Sequence, residues 1–289
     1  MENGTVIKSA SGERYVLTGQ IGVGATSDVY SAIRVSDSMT VAIKLLRSRD
    51  YVMQVHFQRE MWAYREFYGC PFIVDLLDND LAAQRPYLVL EFCSFGSARQ
   101  NLAYLNSNPK TTLALLTHLA TSLEVIQRRG CIYRDLKPDN LLLTRNSAGS
   151  MVMKLGDAGL ICLPGEFGQF IATRTPAGTL PYMAPELFKN DAMYTREAEI
   201  FALGVTAHEL LTGQRPVAGT TITTGPTEVH GLIGRMIAID PHERPTITEV
   251  RARVFQAHKL LVDRDETVLA ILCGGLLALG IAALWKGKK

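Results

Sequence analysis

Asp135, Lys137 and Asn140 bring a carboxylate, an ammonium and a carboxamide into one octet, Tyr133-Arg134-Asp135-Leu136-Lys137-Pro138-Asp139-Asn140. That set suits phosphoryl chemistry. A carboxylate can take the proton of a hydroxyl nucleophile, a cation can offset charge on a phosphoryl group, and an amide oxygen can help hold a divalent ion. Asp135 would be the base, Lys137 the cation and Asn140 a metal ligand.

Four further segments surround the octet. Ile21-Gly22-Val23-Gly24-Ala25-Thr26-Ser27-Asp28-Val29 reads as two short strands joined by a glycine-containing turn, where backbone can approach phosphates closely. The β-branched run Val41-Ala42-Ile43 ends in Lys44. Downstream come Asp157-Ala158-Gly159 and then Gly178-Thr179-Leu180-Pro181-Tyr182-Met183-Ala184-Pro185-Glu186. In this order the set resembles the eukaryotic-type protein kinase family, whose signatures are the glycine-rich loop, V-A-I-K, H-R-D-L-K-x-x-N, D-F-G and A-P-E. Later landmarks agree: Glu199-Ile200-Phe201-Ala202-Leu203-Gly204 is similar to the family's D-x-W-S-x-G helix, and Arg244 resembles the arginine that pairs with the A-P-E glutamate, here Glu186.

The resemblance implies an α+β, two-lobed fold. A β-rich N-lobe would occupy 13–93 and a mainly helical C-lobe 94–262, after an N-terminal extension 1–12. Strand-like runs with one helical pattern, Met53 to Tyr68, fill the first part, and short strands are predicted near Leu141 and Met153 in the second. The Thr-, Gly- and Pro-rich stretch from Gly213 to Pro226 reads as loop, shortening the C-lobe there.

By the same resemblance the implied ligands are ATP and Mg²⁺. Asp135 would accept or orient the substrate hydroxyl proton, Lys137 would steady the γ-phosphoryl, and Asn140 with Asp157 would hold Mg²⁺. Lys44 would contact the α- and β-phosphates, partnered by Glu60 on the helix, with Glu66 as the other candidate. Gly22, Val23 and Gly24 would cover the phosphates, Ile21, Val29, Ala42 and Leu142 would enclose adenine, Leu90 would be the gatekeeper, and the backbone of Glu91 and Cys93 would bond the base. Lys137 and Thr179 point to serine or threonine in protein substrates. Arg134 suggests control by phosphorylation at Thr175.

Four positions depart from the family pattern. Tyr133 replaces the histidine of H-R-D, Ser27 the third loop glycine, and Glu199 an aspartate that braces the catalytic loop. Ala158, in place of the D-F-G phenylalanine, removes a core ring, a change worth about 3 to 5 kcal/mol where a site does not refill. Asp157, the metal ligand, remains, so the expectation is an active enzyme whose switch is loosely held or filled by another side chain; a nucleotide-binding pseudokinase scaffold is the alternative.

Composition removes other classes. A net charge of +2 over 289 residues gives no field for nucleic acid, and none is expected as a partner. The five cysteines form no CxxC pair and the six histidines no HExxH, so reduced thiols and no zinc site are predicted. The polar start Met1-Glu2-Asn3-Gly4 predicts neither a secretory signal nor N-myristoylation.

Residues 267–285, Thr267 to Trp285, carry no charge. A helix of that length covers about 28 Å, close to the roughly 30 Å hydrocarbon core. The expectation is a single transmembrane helix in a lipid bilayer, followed by a basic tip at 286–289, with the catalytic domain on the cytosolic side. Moderate hydrophobicity, diluted by Gly274, Gly275 and Gly280, resembles tail anchors of the mitochondrial or plastid outer membrane, with endoplasmic reticulum as the other candidate.

Overall fold

The computed structural model describes residues 2–24, 26–48, 50–163, 180–189 and 193–264. The first lobe is a six-stranded antiparallel sheet in the order β1-β2-β3-β4-β6-β5: Val6–Lys8, Arg14–Val23, Ser27–Arg34, Thr40–Leu46, Tyr87–Glu91 and Leu76–Asp80. β4 is apolar except for Thr40 and Lys44 and is buried almost throughout, as a central strand covered on both faces must be. β1 extends the lobe beyond its predicted start. Val6 to Lys8 pair with Val16 to Arg14, so part of the expected N-terminal extension is an edge strand of the sheet.

Helix α1, Tyr51–Glu66, packs on β4 and β5 of this sheet. The Asp50 side chain caps it by accepting the Met53 amide at 2.9 Å. Phe57, Glu60 and Tyr64 fall on one buried stripe at helical spacing, which puts a carboxylate on an otherwise apolar face.

The second lobe is helical. It contains α2 (Leu102–Ser107), α3 (Pro109–Arg128), α4 (Arg196–Thr212), α5 (His230–Met236) and a helix over 247–264. The hairpin β7 (Leu141–Arg145) and β8 (Met151–Leu155) lies between the catalytic octet and Asp157. α4 is buried from Ala198 through Leu211 and forms the axis of the lobe; Thr195 caps its start and Gly213, left-handed at φ 75°, ends it. Residues from Gly213 to Pro226 form loop, as their composition predicts. Among the described residues no helix is long and apolar enough to cross a membrane, and the predicted span 267–285 lies outside them.

Candidate active site

Three charged side chains meet where the lobes face each other. Lys44, on β4, places its Nζ 2.7 Å from both oxygens of Glu60 and 2.9 Å from Oδ1 of Asp157. Burial works against the Lys44 charge, but the carboxylates of Asp157 and Glu60 outweigh it and raise the ammonium above its ordinary value. The Lys44 ammonium in turn lowers Asp157, despite its own desolvation. Burial raises Glu60 while Lys44 opposes, and two oxygens at 2.7 Å from one ammonium make an ionised pair. Of the two candidate partners it is Glu60 that reaches Lys44; Glu66 lies at the surface against Arg129.

The octet forms a second cluster. Lys137 Nζ donates to Asp135 Oδ2 at 2.8 Å, and Asn140 Nδ2 donates to the Asp135 carbonyl and to Oδ2, each at 2.8 Å. Asp135 is thus oriented from two sides. Beneath it, Glu199 at the start of α4 accepts the Tyr133 amide at 2.6 Å, the Arg134 amide at 3.3 Å and Gln127 Nε2 at 2.8 Å. The side chain is longer than the family's aspartate, yet it reaches all three donors. Arg134 has φ 76°, and its guanidinium lies 5.9 Å from the Tyr194 ring centre.

Of the residues predicted to enclose adenine, Ile21, Val29 and Ala42 sit on the sheet that carries Lys44, and Leu142 sits on β7 of the other lobe. Ala42 is opposite Leu90 and Val29 opposite Lys44 in the strand register. Ala42 and Leu90 are buried, Val29 and Leu142 partly so, and Ile21 with Val23 is exposed on the β2 edge of the turn. Glu91 donates its amide to the Asp75 carbonyl and binds Lys154 through its side chain at 2.6 Å, fixing the strand exit toward Cys93. The turn itself differs from expectation at Gly24. Its amide closes onto the Ser27 carbonyl at 2.8 Å, and a Cβ there would stand 3.2 Å from that oxygen, so glycine serves the tight turn and does not offer a free amide. Gly22 pairs with Val29 across the same turn. Asp28, one residue after Ser27, is clamped by Arg47 at 2.7 Å and Arg85 at 2.6 Å, which anchors the returning strand.

Glu186 and Arg244 form the predicted ion pair, with bonds of 2.6 and 2.8 Å, and Arg244 also donates to the carbonyls of Glu197 and Ala238. Thr175, Thr179 and Gly178 lie outside the described residues.

Several residues that sequence reasoning missed complete the site. Tyr64 donates to Glu60 at 3.1 Å and accepts the Asp157 amide at 2.9 Å. A ring nitrogen of His56 lies 3.0 Å from the Gly159 carbonyl. Arg99 joins Glu209 at 2.9 Å and Tyr182 at 2.5 Å, tying the segment before Ala184-Pro185-Glu186 to α4. The only sequence signal for Tyr64 was its place one turn beyond Glu60 on the same helix face.

The donor set suits a magnesium nucleotide. Asp157 keeps a side chain 53 % exposed, and Asn140 has committed its amide nitrogen but not its oxygen. Among the described residues no cluster of three His, Cys, Asp or Glu could hold a metal alone. Two protein oxygens with the balance left to phosphate and water is how Mg²⁺ is usually held.

A β-rich lobe with a buried lysine–glutamate pair, set against a helical lobe with a carboxylate loop, defines the class as a two-lobed α+β fold. The chain belongs to the protein kinase family, since the family described as Protein kinase domain matches residues 15–256. It is 32 % identical over 216 residues to a probable serine/threonine-protein kinase PknB of Lactococcus lactis, covering 72 % of this chain and 33 % of that protein. It is likewise 32 % identical over 222 residues to the probable serine/threonine-protein kinase SCO3848 of Streptomyces coelicolor, covering 72 % and 31 %, and 30 % identical over 205 residues to Pkn1 of Myxococcus xanthus, covering 69 % and 29 %. The chain therefore spans about a third of the length of these relatives.

Proposed function

We propose that this chain transfers the γ-phosphoryl group of ATP to serine or threonine hydroxyls of proteins while residues 267–285 hold it at a membrane. The observation that carries the catalytic reading is the meeting of Lys44, Glu60 and Asp157 beside an Asp135 already oriented by Lys137 and Asn140. Lys44, fixed by Glu60, places its charge on the α- and β-phosphates of bound ATP. Asp157 and Asn140 would hold Mg²⁺, which neutralises charge on those phosphates. Asp135 accepts the proton of the substrate hydroxyl as its oxygen bonds the γ-phosphorus and the bridging P–O bond breaks, leaving ADP. Lys137, 2.8 Å from Asp135, offsets the charge of the transferring group. Serine/threonine selectivity is supported by Lys137 and by relatives that bear that name.

The test is transfer of γ-³²P to general protein substrates, with phosphoamino acid analysis. Wild type should label serine and threonine, and Asp135→Asn should lower kcat by about 10² to 10⁴ while Mg-ATP still binds. Mg-ATP binding without transfer by the wild type would replace this reading with a pseudokinase, which Ala158 and Ser27 favour.

The tether rests on the uncharged run from Thr267 to Trp285 and the charged residues flanking it. Held on a surface, the enzyme meets neighbouring substrates at raised effective concentration. A reporter fused to residues 255–289 should mark a membrane, with the mitochondrial or plastid outer membrane expected on hydrophobicity; a diffuse signal would remove the anchor.

A further inference from the structure

Ala158 takes the place of a phenylalanine, yet the segment it belongs to is held in detail. The grip falls one peptide earlier. The carbonyl of Gly156 and the amide of Asp157 are the two polar ends of a single peptide group. Tyr133 donates its phenol to that carbonyl, and Tyr64 accepts that amide at 2.9 Å. Both tyrosines are almost fully buried, one from the catalytic octet and one from α1. The Gly156 amide is bound as well, donating to the Asn140 carbonyl at 2.9 Å, and a Cβ on Gly156 would stand 3.1 Å from Leu142.

The backbone just beyond this peptide needs holding. Asp157 has φ 46°, in the left-handed region where a non-glycine residue is disfavoured and persists only when its surroundings fix it. Its backbone sets where its carboxylate points. The Tyr64 hydroxyl is shared between the Asp157 amide and Glu60, so one phenol couples the Lys44 partner to the metal-facing carboxylate. The Tyr133 phenol also lies beside the Asn140 side chain, the other candidate metal ligand.

We infer that Tyr64 and Tyr133 are positioning residues that clamp the Gly156–Asp157 peptide, fixing Asp157 for the metal where Ala158 supplies no ring to do so. This rests on the reading of Asp157 and Asn140 as Mg²⁺ ligands. Two hydrogen bonds at a fixed peptide here do what ring packing does elsewhere, and they act on orientation more than on total stability.

The experiment uses the full chain and the variants Tyr64→Phe, Tyr133→Phe and the double variant, which keep both rings and remove only hydroxyls. Hydrogen exchange at the Asp157 amide reads the clamp directly, without catalysis. Binding of ATP measured with Mg²⁺ and again with EDTA gives the metal-dependent part of affinity. Tyr64→Phe should exchange that amide about tenfold faster, and the double variant should lose about tenfold of the Mg²⁺-dependent gain in ATP affinity while its affinity in EDTA is unchanged. Unchanged exchange in Tyr64→Phe, or an equal loss with and without Mg²⁺, would overturn the inference. Should the wild type itself show no Mg²⁺-dependent gain, the assignment of Asp157 and Asn140 as metal ligands fails; the clamp alone fails when wild type shows the gain and the double variant retains it.

Discussion

At the scale of single residues, Glu199 shows how a buried charge can be useful. Burial raises its carboxyl, and the donors Gln127, Tyr133 and Arg134 oppose that shift. It sits in the first turn of α4, where the helix end also favours a negative group. Removing the carboxylate leaves three donors without this acceptor. Glu199→Ala should therefore cost about 3 kcal/mol of stability and Glu199→Gln less, since the amide keeps one acceptor oxygen. Denaturant unfolding of the two variants checks the order, and a loss in Glu199→Gln equal to that in Glu199→Ala would show that the retained acceptor oxygen contributes nothing. Lys44, Asp135, Asn140 and Asp157 were legible in the sequence because each sits in a short segment whose neighbours carry the pattern. Glu60 was a choice between two acids, settled only by which face of α1 meets β4. Tyr64 was not legible. Its meaning lies in a bond to Asp157, 93 positions away, and the chain gives no local sign of that contact.

At the scale of elements, apolar runs and turn residues read well, and edges read badly. β4 and the β7–β8 hairpin lie where their patterns place them, and α1 starts and ends two residues before the span Met53 to Tyr68, because burial on one or both faces imposes a period. β1 leaves no pattern in the sequence, since Val6 to Lys8 is a three-residue edge strand, too short to show alternation. The irregular register of β2, shifted between Leu17 and Gly19 and again between Gln20 and Gly22, belongs to pairing with β3 and leaves only glycines as a trace. Gly204 gives a sharper case. It lies inside α4, where glycine normally weakens a helix by about 1 kcal/mol relative to alanine. A Cβ there would stand 2.7 Å from the Met236 Cβ and 3.0 Å from Ile237 Cγ2, at the end of α5. The close approach wins. Gly204→Ala should destabilise the protein, an overpacking cost of about 1 to 3 kcal/mol exceeding the gain in helix propensity. A raised unfolding midpoint would mean that α5 moves away freely.

At the scale of the whole molecule, a net charge of +2 is too small to govern stability against pH, so particular groups must. His118 is lowered from 6.5, first by burial and then by His258, and it stacks on Phe72 with ring centres 4.4 Å apart. Lowered in the fold, it contributes stability that is complete above 6.5 and is lost as pH falls through its folded value, because the unfolded chain takes up the proton first. Asp28, lowered by Arg47, and Asp157, lowered by Lys44, act with the same sign but only below their ordinary 3.8. Glu60 and Glu199 run the other way: burial raises them above 4.5, so their share is lost as pH rises through their folded values. These terms overlap in mild acid, and a single stability curve would mix them. Comparing wild type with His118→Phe, which keeps a ring against Phe72, cancels every group common to both. The variant should lose less stability than wild type between pH 7.5 and about pH 5, so the free-energy gap between them shifts in the variant's favour as pH falls. Urea unfolding at several pH values measures that gap, and a gap independent of pH would show that His118 is as readily protonated in the folded lobe as in the unfolded chain.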